Sequence, residues 1–177
     1  AKLLAIDILP RRTFFKLLPP DIRHRVVYRQ LDAARLTPTA YRRILREEWG
    51  ISPDSVSHCH WSPMCETLSP ATMLGIEVPH YVNGHPHSAK AKAHARIFNT
   101  VLHTLTVCHT DPSRTMISIE NPSKGRFAKL KEVKSLVHNA KHWQLLRGDH
   151  CSCVDPSLDS ADFTKKPTDY LLFGRLR

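Results

Sequence analysis

At 177 residues with 41% apolar content, the chain is long enough for one compact domain with a buried core, and no run approaches the ~20 apolar residues of a membrane-spanning helix. Lys and Arg number 26 against 16 Asp and Glu, and this net charge of +10 recurs in clusters at Arg11-Arg12, Arg42-Arg43 and from Lys124 to Lys134, which points to a nucleic-acid partner. The five cysteines, Cys59, Cys65, Cys108, Cys151 and Cys153, are odd in number and irregular in spacing, which argues against a secreted disulfide framework and for a reducing intracellular compartment.

The chain opens Ala1-Lys2-Leu3-Leu4 without an initiator Met, as expected of a segment with more protein upstream. Leu3 to Asp7 is an apolar run ending in an acid, the pattern of a buried parallel strand. Arg11 to Leu18 reads as a short helix closed by Pro19-Pro20, and Arg25 to Tyr28 as a second strand with Leu31-Asp32 beyond its carboxyl end. Thr37 as N-cap and Pro38 at the first position open a helix. Its Tyr41, Ile44, Leu45 and Trp49 recur at helical spacing, and Gly50 ends it. Val56 to Trp61 is a third strand, and Ser62 to His87 reads as a long loop rich in Pro, Gly and His. Ser88 to His109 is helical, with Ala93, Ile97, Val101, Leu102 and Leu105 on one face. Met116 to Ile119 is a fourth strand broken by Asn121-Pro122; Lys129 to Ala140 is a helix and Trp143 to Leu146 a strand. Asp149 to Pro167 is polar and irregular, and Tyr170 to Phe173 closes as a strand before Gly174. The alternation predicts an α/β fold in a single domain, 1–177, with helices on both faces of a mostly parallel sheet.

In such sheets ligands sit beyond the carboxyl ends of the strands. Four segments fall there: Asp7, Asp32, Ser62-Pro63-Met64-Cys65 and Glu120-Asn121-Pro122. Twelve histidines accompany the cysteines, but no Cys pair has C-x-x-C spacing, and Cys151-Ser152-Cys153 is too tight to chelate well alone, so no metal is expected.

Ser62-Pro63-Met64-Cys65-Glu66-Thr67-Leu68-Ser69 resembles the catalytic loop of cytosine-5 DNA methyltransferases, in particular compact, phage-type members with a Ser-Pro-Pro-Cys-Thr-x-Phe-Ser form. Ile119-Glu120-Asn121-Pro122 is similar to that family's Glu-Asn motif. Lys165-Lys166-Pro167-Thr168 is similar to its Arg-Lys-Pro-Thr stretch, and Cys151-Ser152-Cys153 falls where its members often carry Tyr-Cys. The resemblance implies a Rossmann-like methyltransferase sheet, S-adenosylmethionine as cofactor and DNA as the favoured substrate, with RNA as the alternative. Cys65 would attack C6 of the cytosine, since C5 is a poor nucleophile until something adds there. Glu120 would handle the proton at N3, Asn121 would orient the loop or the exocyclic amine, and Lys165 or Lys166 would contact the base or a phosphate. A duplex substrate would have to present the base flipped out. On the cofactor side the resemblance implies Asp7 at the ribose hydroxyls, Asp32 at the adenine amine, and Ser62 and Pro63 at the start of the loop.

Each residue also has a structural reading: Cys65 as a buried thiol, Glu120 as a strand end, Asp7 and Asp32 as helix caps, Lys165 and Lys166 as a solvated pair. The chain departs from the family at Met64 and at Lys165 in place of Arg; the family's glycine-rich loop would lie upstream of Ala1, and the six glycines here are scattered, so either the sequence starts inside a longer protein or the fold has lost cofactor binding. A second expectation is therefore an inactive methyltransferase-fold subunit that binds nucleic acid within a ribonucleoprotein assembly. A third, an unrelated thiol enzyme using His58 or His60 as base, lacks an accompanying oxyanion-hole motif.

Overall fold

The computed structural model describes residues 2–64, 66–68, 80–122, 126–149 and 167–174. Its regular elements are β1 (Leu3–Asp7), α1 (Arg11–Leu17), β2 (Val26–Gln30), α2 (Pro38–Trp49), β3 (His58–Trp61), β4 (Tyr81–Val82), β5 (His85–Pro86), α3 (Ala89–Cys108), β6 (Met116–Pro122), α4 (Lys131–Asn139), β7 (Trp143–Asp149) and β8 (Pro167–Phe173). They divide into two compact units: residues 1–53 with Ile97–Cys108, and residues 54–96 with 109–177.

In the first unit β1 and β2 pair in parallel, Leu3 against Val26 through to Asp7 against Gln30. The connection carries α1, whose Phe14 stacks on Tyr28 with ring centroids 4.3 Å apart. The Tyr28 hydroxyl donates to the carbonyl oxygens of Asp7, at 3.1 Å, and of Leu9, fixing the chain where it leaves β1. Burial, and then the Asp7 carboxylate, raise the Tyr28 pKa above its ordinary value. Pro19-Pro20 ends α1 as expected, but Pro20 then opens a 3-10 turn, Pro20–Arg25, at a first position where a backbone N–H is not needed. Thr37 caps α2 by accepting from the Ala40 N–H at 3.2 Å, and Gly50 ends it at φ 66°. Tyr41, Ile44 and Leu45 of α2 are buried, as are Val101, Leu102 and Leu105 of α3. Each such aliphatic side chain contributes roughly 1.5–3 kcal/mol. Thr104 donates to the Leu36 carbonyl at 2.5 Å, satisfying a buried oxygen between these helices.

The second unit is built on a four-stranded sheet in the order β3-β6-β8-β7. β3 and β6 pair in parallel, while β8 is antiparallel to both β6 and β7. The α/β expectation holds, and parallel pairing falls where a helix connects the strands. The sheet is more mixed in direction than expected, because period-2 patterning reports which face a residue occupies and not which way its strand runs. β6 also continues through Asn121-Pro122 instead of breaking there; Pro122 is its last residue, opposite Thr168, where a missing N–H is tolerated.

One sheet face is dry. Ile117, Ile119 and Leu171 are fully buried there, beside Trp143 and Phe173. The segment expected to be one long loop contains the β4–β5 hairpin, turned by Asn83 at φ 50° and Gly84 at φ 82°, the two positive values that a two-residue type I′ turn needs. A Cβ on Gly84 would lie 2.7 Å from the Lys129 carbonyl oxygen, so the hairpin seats against the turn before α4 only because that atom is absent.

Candidate functional site

Each unit gathers its candidates at the carboxyl end of its parallel strand pair. In the first unit Asp7 is the last residue of β1, and Asp32 lies two residues past β2. Both carboxylates hold backbone: Asp7 Oδ1 accepts from the Leu9 N–H at 3.0 Å, and Asp32 Oδ1 caps the 3-10 turn Ala33–Arg35 by accepting from the Ala34 N–H at 2.9 Å. These are the capping roles that compete with ligand binding in the sequence. An ionised carboxylate has about four acceptor sites, so one backbone bond each leaves capacity for a hydroxyl or an amine.

In the second unit Trp61 is level with Ile119, which brings Ser62 level with Glu120 one residue further along. Ser62 Oγ donates to Glu120 Oε1 at 3.4 Å, and the buried Asn121 Nδ2 donates to the Pro63 carbonyl at 3.5 Å. Two cross-strand bonds thus tie the start of the Cys65 loop to the Glu-Asn pair. Cys65, Lys165, Lys166, Cys151 and Cys153 lie outside the described residues. The residues immediately after Cys65 are anchored as well. The Glu66 carboxylate meets Lys90 Nζ at 2.5 Å, which holds it below its ordinary pKa. Buried Thr67 hydrogen-bonds His94 Nδ1 at 3.0 Å, and the Leu68 carbonyl accepts from the Arg126 N–H at 2.8 Å.

Glu120 and Asn121 point to opposite sheet faces, as neighbours on a strand must. Asn121 is 1% exposed on the dry side with Ile119, and its Oδ1 meets no partner among the described residues. Its described hydrogen bond is with the loop, through Pro63. Glu120 is on the wetter face, where it meets a network that the sequence reading did not assemble. His58 Nε2 lies 2.8 Å from Ser118 Oγ, and His60 Nδ1 lies 2.9 Å from the same oxygen. His60 Nε2 is 3.8 Å from Glu120 Oε2. A hydroxyl carries one proton, so Ser118 donates to one imidazole and accepts from the other. With Glu120 ionised, the satisfying arrangement is His58 N–H to Ser118, Ser118 O–H to His60, and His60 Nε2–H toward the carboxylate. Burial, and then His60, lower the His58 pKa. The signal was present in His58-Cys59-His60, where alternation puts both imidazoles on one face; the missing piece was the pairing partner that brings Ser118 between them.

On the other face Cys59 Sγ lies 3.3 Å from Nε2 of His109, which is 2% exposed and whose pKa burial lowers against the opposing pull of Asp54. Among the described residues no three His, Cys, Asp or Glu side chains are grouped as metal ligands.

No protein-family model and no curated protein matches the chain. Among solved structures it is similar to the S. pombe Dnmt2 methyltransferase, with a TM-score of 0.48 and 18% sequence identity. The match covers 98% of this chain and 43% of that one, so the chain spans less than half the length of that structure.

Proposed function

We propose that the chain is the catalytic part of an S-adenosylmethionine-dependent cytosine-5 methyltransferase acting on DNA, with Cys65 as nucleophile. The observation that carries this reading is the tie between the loop leading into Cys65 and the strand end bearing Glu120-Asn121, made by Asn121 to Pro63 and Ser62 to Glu120. Nucleophile and acid come from distant parts of the sequence, and the chemistry needs them at one edge of the sheet. The Cys65 thiolate would add to C6 of the base while Glu120 gives its proton to N3; once C5 carries the methyl group, loss of the C5 proton to water would expel the thiolate and return the N3 proton to Glu120. The cofactor would supply the electrophilic methyl group. Asp7 and Asp32 suit its hydroxyl and amine donors, each being a strand-end carboxylate with one oxygen engaged by backbone. The His58–Ser118–His60 chain gives Glu120 a route for exchanging its proton with solvent.

The test is covalent trapping on an oligonucleotide containing 5-fluorocytosine, with S-adenosylmethionine present. Fluorine blocks the final elimination, so wild-type protein is expected to give an adduct stable to denaturation and Cys65→Ser none. An adduct on RNA but not on DNA would move the substrate. Oligonucleotide binding without adduct or cofactor uptake would favour the inactive subunit, the reading to which Met64 and Lys165 in place of Arg lean.

A further inference from the structure

The unit of residues 54–96 and 109–177 carries a basic cleft beside α4. The cleft, of about 380 Å³, is lined by Asn83 and His85 of the hairpin, Lys129 before α4, and Lys131, Lys134, Ser135, His138 and Asn139 of α4. All eight side chains are exposed hydrogen-bonding groups, and none is acidic. Five of them follow the spacing that keeps residues on one side of a helix, while Val133 of α4 turns inward and is fully buried. Asn139 Nδ2 donates to Ser135 Oγ at 3.2 Å, linking two neighbours on this face.

Two further observations give the cleft a direction. Lys129 and Lys131 stand at the amino end of α4, where the helix dipole disfavours cations by roughly 0.3–1 kcal/mol each. No side chain caps that end, and Glu132 is the acid in its first turn. An anion in the cleft would offset the three lysines that Glu132 alone does not balance. The opposite wall is set by the close approach of Gly84 to the Lys129 carbonyl, which fixes Asn83 and His85 beside the lysines.

We propose that this cleft binds the phosphodiester backbone of a nucleic acid, with Lys129, Lys131 and Lys134 as the charged contacts and Asn83, Ser135 and Asn139 as neutral donors. It takes the sugar–phosphate chain, so it is blind to sequence. It shares with the methyltransferase reading only the class of partner, and it stands or falls without cofactor, turnover or Cys65.

The experiment is anisotropy of labelled single-stranded and duplex oligonucleotides with the full chain across a salt series, no cofactor present. Replacing the three lysines together (K129Q, K131Q, K134Q) is expected to lower the log–log salt slope by about 2–3 and to weaken binding roughly 10- to 100-fold near 0.1 M salt. Arginine at the same three positions keeps the charge and is expected to keep the slope. A matched set on the other unit (R42Q, R43Q, R46Q) is expected to change the slope by less than about 1. Unchanged affinity and slope in the lysine variant, with an unaltered melting profile, would overturn the proposal. So would loss confined to the R42Q, R43Q, R46Q set, or binding to phosphatidylserine vesicles with none to either oligonucleotide.

Discussion

Asn121→Asp is a nearly isosteric change whose cost the structure lets one work out. Asn121 is 1% exposed, and its Nδ2 donates to the Pro63 carbonyl at 3.5 Å. The substitution exchanges that donor for an acceptor facing another acceptor, next to the buried Asp169, which is its register partner on β8. Losing the hydrogen bond costs about 1 kcal/mol. The larger part is electrostatic: burial disfavours the charged form of the introduced carboxyl and pushes its pKa up from ~3.9, beside an Asp169 already paired with Arg147 at 2.9 Å. If the folded value reaches ~7, holding the proton at neutral pH costs a further ~4 kcal/mol, at about 1.4 kcal/mol per pH unit. For an acid whose pKa is raised on folding, the penalty grows from the unfolded value upward and disappears below it. The variant is therefore expected to lose about 5 kcal/mol relative to wild type at pH 7 and to regain roughly 2–3 kcal/mol of that gap by pH 5. Asn121→Ala is expected to lose about 1–3 kcal/mol at every pH. Urea denaturation of the three proteins from pH 5 to 8 measures this. A gap between the Asp and Ala variants that does not vary with pH would refute the reasoning, because the introduced carboxyl would then be solvated and the tie to Pro63 would be a surface contact.

Gly84→Ala places a methyl group 2.7 Å from the Lys129 carbonyl at φ 82°, so a loss of about 1–3 kcal/mol is expected in thermal unfolding, together with weaker oligonucleotide binding as the hairpin moves off α4. His109 is buried with its pKa lowered from 6.5, so below about pH 6.5 the unfolded chain takes up a proton that the folded chain refuses. Its contribution is complete above that pH and is lost on acidification toward the folded value, by up to about 1.4 kcal/mol per pH unit. His109→Gln removes the titrating group, and its stability between pH 7 and 5.5 is expected to fall less steeply than that of wild type; parallel curves would exclude His109 as the source.

Most of the fold was legible where one physical rule dominates. Thr37-Pro38 and Gly50 bound α2 because capping and left-handed geometry are properties of single residues. The hairpin at Asn83-Gly84 carried as clear a signal, yet it was absorbed into a Pro- and His-rich stretch whose composition reads as loop. The antiparallel entry of β8 was not legible, since no local pattern encodes strand direction. At the candidate site the placement of Glu120 and Asn121 beside Ser62 and Pro63 followed from strand-end reasoning. The Ser118 bridge depends on the register between β3 and β6, a pairing across about 60 positions of sequence that neither segment specifies alone.

The opposed directions of Glu120 and Asn121 have an evolutionary consequence. Two adjacent codons hold the same loop from two sides of the sheet, Glu120 through the Ser62 hydroxyl and Asn121 through the Pro63 carbonyl. Replacing Glu120, whose side chain is 20% exposed, costs folding less than replacing Asn121, which is 1% exposed. Where folding alone is selected, erosion of the pair is therefore expected to begin with the acid.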